Sequence, residues 1–210
     1  MTTVVLVHGW GFDASLWDAV RGQLDPAIPV ATIDFGYFGA VLPAPTFHEP
    51  VMAVGHSLGA LWWLTQADMP WSRLLCINGF PRFTATDDYP GVAPRVLARM
   101  QAQFVRDPAA VLADFHARCC ANSTWVPQGA PDTVRLAAGL DWLAAWDGRA
   151  TLAARRADVF ALAGSDDPIV PRAMSTQAFG AQCEFADVPG HLLPLMASEL
   201  CAQHIESLFS

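Results

Sequence analysis

The sequence predicts an α/β fold: a mostly parallel sheet of about six strands, helices on both faces, and a helical lid inserted late in the chain. Three observations carry this. Val4–His8, Val30–Asp34, Val51–Gly55, Leu74–Asn78, Asp158–Ala163 and Glu184–Val188 are short, nearly continuous apolar runs, the signature of strands buried on both faces. Most of them lead into apolar residues at helical spacing, and strands alternating with helices pair in parallel. One of the junctions, Val51 to Leu64, turns from strand to helix through Gly-His-Ser-Leu-Gly with no room for an ordinary loop.

In chain order, the first run is followed by a helical pattern over Ala14–Leu24, and the second by none. Only Phe35–Pro50 joins the second and third strands, and Pro43, Pro45 and Pro50 forbid a crossover helix there, so the connection is expected to be an extended loop. The third strand passes directly into a helix over Leu58–Asp68. After the fourth strand the alternation stops, and three helical patterns, Pro94–Val105, Pro108–Cys120 and Pro131–Trp146, follow one another. All of them open on proline, a good first helical residue. Residues 81–157 therefore read as a lid over the C-terminal edge of the sheet, within a single domain spanning 1–210. The fifth and sixth strands precede helices at Arg172–Phe179 and Pro194–Leu208.

Composition narrows the function classes. The net charge is −8, and all basic residues are Arg, with no Lys. An acidic balance argues against nucleic acid and anionic membrane as partners. No apolar run is long enough to span a bilayer, and MTTVVLVHGW lacks a basic leader, so a cytoplasmic protein is expected. Cys76, Cys119, Cys120, Cys183 and Cys201 are odd in number and irregularly spaced, and Cys119 and Cys120 are too close for an unstrained disulfide. Reduced, mostly buried thiols are expected, with no metal and no organic cofactor.

The chemistry begins at Ser57. A strand that turns at once into a helix holds the middle residue in a strained backbone, which Gly55 and Gly59 permit by being small. Such an elbow exposes the serine oxygen at a helix N-terminus, where developing negative charge is favoured; the plainer reading is a helix N-cap. A serine hydroxyl needs a base, and the base needs an orienting acid. The fifth strand runs into Gly164-Ser165-Asp166-Asp167-Pro168, and the sixth into Pro189-Gly190-His191, so an acid and a histidine follow in the required order. Adjacent carboxylates point differently, and Asp167, on the return of the turn, is the expected partner of His191, with Asp166 capping the turn. His8 opens His-Gly-Trp-Gly, and its expected work is shaping that loop. The Trp10 and Leu58 backbone N–H groups are the expected oxyanion hole. His56 reads as structural, His116 as solvated or packed, and His48 and His204 carry no signal.

His8-Gly-Trp-Gly, Gly55-His-Ser-Leu-Gly, Gly164-x-x-Asp-x-x-Val-Pro and Gly190-His191 together resemble the α/β-hydrolase superfamily over nearly the whole chain. Within it, HGWGFDASLWD resembles the opening of the pimeloyl-[acyl-carrier protein] methyl ester esterases of biotin synthesis. DDYPGVAPRVLARMQAQF is similar to that family's first lid helix, and LAAGLDWLAAWDGRATLA to its return into the core. The resemblance implies Ser57, Asp167 and His191 as the triad. It implies substrate-binding positions at Trp10, Leu58 and the stretch from Phe115 to Cys119. Two features depart from the family: the crossover helix before the elbow is missing, and Ala110 and Asp114 stand where the family carries lid arginines. Arg95, Arg99 and Arg106 share one helical stripe and are a candidate replacement; the blander reading is a solvated face.

The expected protein is a serine carboxylic-ester hydrolase acting on a small acyl ester, with an acyl-carrier protein as a candidate partner. Thioester hydrolysis, carbon–carbon bond hydrolysis and cofactor-free haloperoxidase chemistry on the same triad are the alternatives, as is a ligand-binding scaffold without turnover.

Overall fold

The computed structural model describes residues 2–39, 45–66, 68–119 and 125–209. Among these residues six strands form one sheet: β1 (Val4–Val7), β2 (Val30–Ile33), β3 (Val51–His56), β4 (Trp71–Ile77), β5 (Val159–Gly164) and β6 (Cys183–Ala186). Their order is β2-β1-β3-β4-β5-β6, and each pairing is parallel. The central β3 is buried along its whole length, whereas β2 and β6 at the edges are mostly half-buried. Side chains alternate between two layers, as the pleat requires. Val5, Val7, Ala53, Leu74 and Cys76 face one core, while Val4, Leu6, Met52, Val54, Leu75 and Ile77 face the other.

Nine helices flank the sheet among the described residues: α1 (Asp18–Arg21), α2 (Leu58–Thr65), α3 (Pro94–Arg106), α4 (Pro108–Cys119), α5 (Thr133–Ala145), α6 (Arg149–Ala154), α7 (Arg172–Phe179), α8 (Leu193–Met196) and α9 (Ser198–Phe209). The second core is closed by Val20 of α1 and by Cys201, Ala202 and Ile205 of α9. The first is closed by α2, by Met174 and Phe179 of α7, and by α3, α4 and α5.

Several elements differ from the sequence expectation. The pattern over Ala14–Leu24 splits into a 3-10 turn, capped by the Asp13 carboxylate on the Ser15 N–H, and the single-turn α1. The C-terminal pattern breaks at Ala197, which lets Leu193 pack inward before α9 redirects. Pro131 does not open α5; it bridges Phe38, and Asp132 caps the helix by accepting from the Val134 and Arg135 N–H groups. Between β4 and β5 a fourth helix, α6, joins the three expected ones. Its Leu152 is buried and the helix packs on α2. No helix lies between β2 and β3 among the described residues; residues 40–44 of that connection, with Pro43, fall outside them.

Cys76 and Cys201 are buried free thiols, Cys183 is a half-buried one and Cys119 is buried; Cys120 lies outside the described residues. No helix among the described residues is long and apolar enough to cross a membrane.

Candidate active site

The C-terminal ends of β1, β3, β4, β5 and β6 deliver the site. At the end of β3, Ser57 has φ 53° and ψ −118°, a left-handed backbone that a non-glycine residue adopts only when its surroundings compel it. The compulsion is tight packing on both sides. A side chain at Gly55 would collide with the Ala60 backbone, and one at Gly59 with the Val7 carbonyl. β3 thus hands over to α2 within one residue, against the end of β1.

Ser57, Asp167 and His191, far apart in sequence, are brought into one hydrogen-bonded chain. His191 Nδ1 lies 2.7 Å from Asp167 Oδ2, and His191 Nε2 lies 3.0 Å from Ser57 Oγ. A carboxylate can only accept, so the ring proton sits on Nδ1 and the Nε2 lone pair faces the serine hydroxyl. The three side chains are buried, His191 completely. The His191 backbone is held on both sides. Its N–H donates to the Cys119 carbonyl at 3.1 Å, and its carbonyl accepts from His56 Nε2 at 2.8 Å.

Asp167 receives four donors. Oδ1 accepts from the Ile169 and Val170 N–H groups, at 2.8 and 2.9 Å; Oδ2 accepts from His191 and from Asn78 Nδ2, the latter at 2.7 Å. Burial pushes its carboxyl up, but His191 and the two backbone donors outweigh this and hold it below the ordinary aspartate value. Asp167 therefore caps its own turn. The expected cap, Asp166, is exposed, and among the described residues only its carbonyl is used, accepting from Gly190 N–H.

The loop after β1 crosses directly over the elbow, where a side chain at Gly9 would lie 2.9 Å from Ser57 Cβ. His8 shapes this loop from below, with Nδ1–H donating to the Gly9 carbonyl at 2.8 Å and Nε2 accepting from Phe35 N–H at 3.0 Å. The Trp10 indole donates to the Leu136 carbonyl at 2.7 Å and is 2% exposed, so it is a fixed wall. Neither the Trp10 nor the Leu58 backbone N–H meets an acceptor among the described residues. Phe115 of α4 packs edge-on against Trp10, with ring centroids 4.9 Å apart. Cys119 is fully buried, and its carbonyl meets the His191 N–H.

Three residues do more than the sequence suggested. Asn78, fully buried and at φ 47°, steadies Asp167; in sequence it is merely the polar end of an apolar run. His56, also fully buried, holds the His191 carbonyl, and burial together with the neighbouring His191 pushes its pKa down to about 3, so it stays neutral. His116 is half-buried and packed between Phe12 and Trp125, and its Nε2 also lies 2.6 Å from the Gly11 carbonyl. Among the described residues, no group of three or more His, Cys, Asp or Glu is placed to hold a metal ion.

No family model matches the chain. Among curated proteins, it is 30% identical over 199 residues to the pimeloyl-[acyl-carrier protein] methyl ester esterase of Pectobacterium carotovorum, covering 81% of this chain and 78% of that one. It is 27% identical over 227 residues to the biotin biosynthesis bifunctional protein BioHC of Cellvibrio japonicus, covering 96% of this chain but only 44% of that protein's length. Among solved structures, an esterase from Exiguobacterium antarcticum superposes with a TM-score of 0.79 at 18% identity, covering 100% of this chain and 92% of that one. The enol-lactonase from Burkholderia xenovorans does so with a TM-score of 0.74 at 15% identity, over 100% and 92%. At such identities the structural likeness establishes the fold, that of the α/β hydrolases.

Proposed function

This chain belongs to the pimeloyl-[acyl-carrier protein] methyl ester esterase family of carboxylic ester hydrolases, and we propose that it removes the methyl group from a pimeloyl-type acyl ester, carrier-linked or free, by serine catalysis. The observation that carries the reading is the Ser57–His191–Asp167 chain, at 3.0 and 2.7 Å, on a strained elbow. Ser57 Oγ attacks the ester carbon as His191 Nε2 takes its proton. Asp167, held below its ordinary pKa, stays ionised and stabilises the imidazolium that forms. The carbonyl oxygen, now negative, is received by the Trp10 and Leu58 N–H groups. His191 then protonates the departing methoxide, which leaves as methanol, and water activated by the same nitrogen releases the acid and restores Ser57.

Trp10 and Phe115 form the apolar wall that takes the acyl chain. Helices α3 to α6, within residues 81–157, act as the lid. An open groove of about 570 Å³ runs along α3 and α4, lined by Val96, Arg99, Met100, Val111, Phe115 and Arg118 among others. Phe115 lines it and also touches Trp10, so the groove and the acyl wall share this side chain. A negatively charged carrier docking on exposed Arg95, Arg99 and Arg106 would lead its acyl arm along this groove.

The test is a panel of methyl esters of graded dicarboxylate length, each offered free and on acyl-carrier protein. Highest kcat/KM is expected at the pimeloyl length. Ser57→Ala should lose on the order of 10⁴–10⁶-fold in turnover while keeping its thermal unfolding midpoint. Substantial hydrolysis by purified Ser57→Ala would refute the mechanism.

A further inference from the structure

The last turns of α4 touch both halves of the catalytic centre. His116 Nε2 lies 2.6 Å from the Gly11 carbonyl, which can only accept, so the ring donates. Gly11 sits at φ +75°, immediately after Trp10. Phe115 and His116 fill the space above it: a side chain at Gly11 would lie 3.2 Å from the Phe115 ring and 3.5 Å from His116 Nε2. Three residues further on, the Cys119 carbonyl accepts the His191 N–H at 3.1 Å. One helix therefore ties the loop that carries the Trp10 N–H to the loop that carries His191.

Building on the serine mechanism above, we propose that His116 is a positioning residue for the oxyanion hole, anchoring the Gly11 peptide so that the Trp10 N–H stays aimed at the oxygen of the tetrahedral intermediate. The physical need is specific. A left-handed peptide at a glycine has little of its own to hold it, and an oxyanion donor acts through preorganisation, so a donor free to swing loses much of its effect. Packing alone does not supply the anchor. The His116 ring is flanked by Phe12 and Trp125, at centroid distances of 5.2 and 5.3 Å, contacts that a phenyl ring would also make, but only a ring N–H reaches the carbonyl. Burial also lowers the pKa of His116, which keeps a neutral, donating ring against the loop.

The test uses three variants of the full chain: His116→Phe keeps the packing without the donor, His116→Gln keeps a side-chain N–H of similar reach, and His116→Asn is one methylene short. Kinetics are measured on a short acetyl ester, which does not extend along the acyl wall, with kcat normalised by active-site titration so that any unfolded fraction drops out. Losing one oxyanion donor outright costs about 10²–10³-fold in kcat. Loosening one should therefore cost His116→Phe and His116→Asn about 10–100-fold in kcat with KM within about twofold. His116→Gln should recover most of the rate. Affinity for a trifluoromethyl ketone, which forms the tetrahedral adduct, should fall in parallel with kcat. The proposal is overturned if His116→Phe keeps kcat within about twofold of the parent, or if His116→Gln is as slow as His116→Asn. Should His116→Phe fail to fold, the comparison of His116→Gln with His116→Asn decides alone. An inactive parent, or an active Ser57→Ala, would instead count against the serine mechanism itself.

Discussion

At the scale of single residues, Asp166 and Asp167 show how one peptide unit separates two roles. Asp167 faces inward and collects four hydrogen bonds, one from His191 and one from Asn78, while Asp166 faces solvent. Asp167→Asn should therefore lower kcat by on the order of 10⁴-fold, the cost of an imidazole held in the wrong tautomer. Asp166→Asn should stay within about twofold. Steady-state kinetics on one short ester settles the order, and equal losses would reassign the acid. His56 yields a second residue-level expectation. Burial and the nearby His191 depress its pKa from 6.5 to about 3. Below pH 6.5 the unfolded chain takes up a proton that the folded chain refuses until about pH 3. The unfolded state thus binds more protons in that window, and stability falls as pH drops through it. His56→Gln, which cannot titrate, should show a shallower fall in unfolding midpoint between pH 7 and pH 4 than the parent. Parallel curves would show that another group governs the acid limb.

At the scale of elements, α4 does work that its composition hides. Phe115 lies over Trp10, His116 bonds the Gly11 carbonyl, and Cys119 accepts from His191, so one face of a single helix meets three parts of the site. Phe115 is only 8% exposed and belongs to the core cluster, so Phe115→Ala should cost about 3–5 kcal/mol of stability. It should also open the acyl wall. The ratio of kcat/KM for a seven-carbon dicarboxylate methyl ester to that for an acetyl ester is insensitive to folded fraction and reports the wall alone. That ratio should fall at least about tenfold, since a hydrophobic contact of this size is worth on the order of 1–3 kcal/mol in discrimination. An unchanged ratio would place the acyl chain elsewhere.

At the scale of the whole molecule, charge is unevenly spread. The chain carries a net charge of −8, yet Arg95, Arg99, Arg106 and Arg118 lie exposed on α3 and α4. An acidic carrier would be repelled by most of the surface and drawn to this one. Arg95→Glu combined with Arg99→Glu should leave hydrolysis of a free methyl ester within about twofold. It should reduce kcat/KM for the carrier-linked ester at low ionic strength, and the deficit should shrink as salt is raised, because attraction between exposed charges is screened beyond about 10 Å at 0.1 M. Undiminished turnover of the carrier-linked ester would make the stripe a solvated face and point to a small free ester as substrate.

The sequence by itself determined the sheet, the order of its partners along the chain and the chemistry-bearing types. Each of these is written in local pattern: continuous apolar runs for buried parallel strands, Gly-x-Ser-x-Gly for a turn that only small flanking residues permit, and Asp167 and His191 just past strand ends. Local pattern misplaced the start of α5 and missed α6, because Asp132 as a cap and Leu152 as a buried anchor matter only against partners distant in sequence. For the same reason Asn78 stayed silent, and His56 and His116 read only as structural and as solvated or packed. What each does depends on a single oriented hydrogen bond to a residue 89, 135 or 105 positions away. No periodicity or composition encodes such a bond, since it exists only once the sheet has brought Asp167, His191 and Gly11 within reach. The tertiary structure alone decided that a buried carboxylate would be steadied by an asparagine, and that the helix above the site would grip the loops on both of its sides.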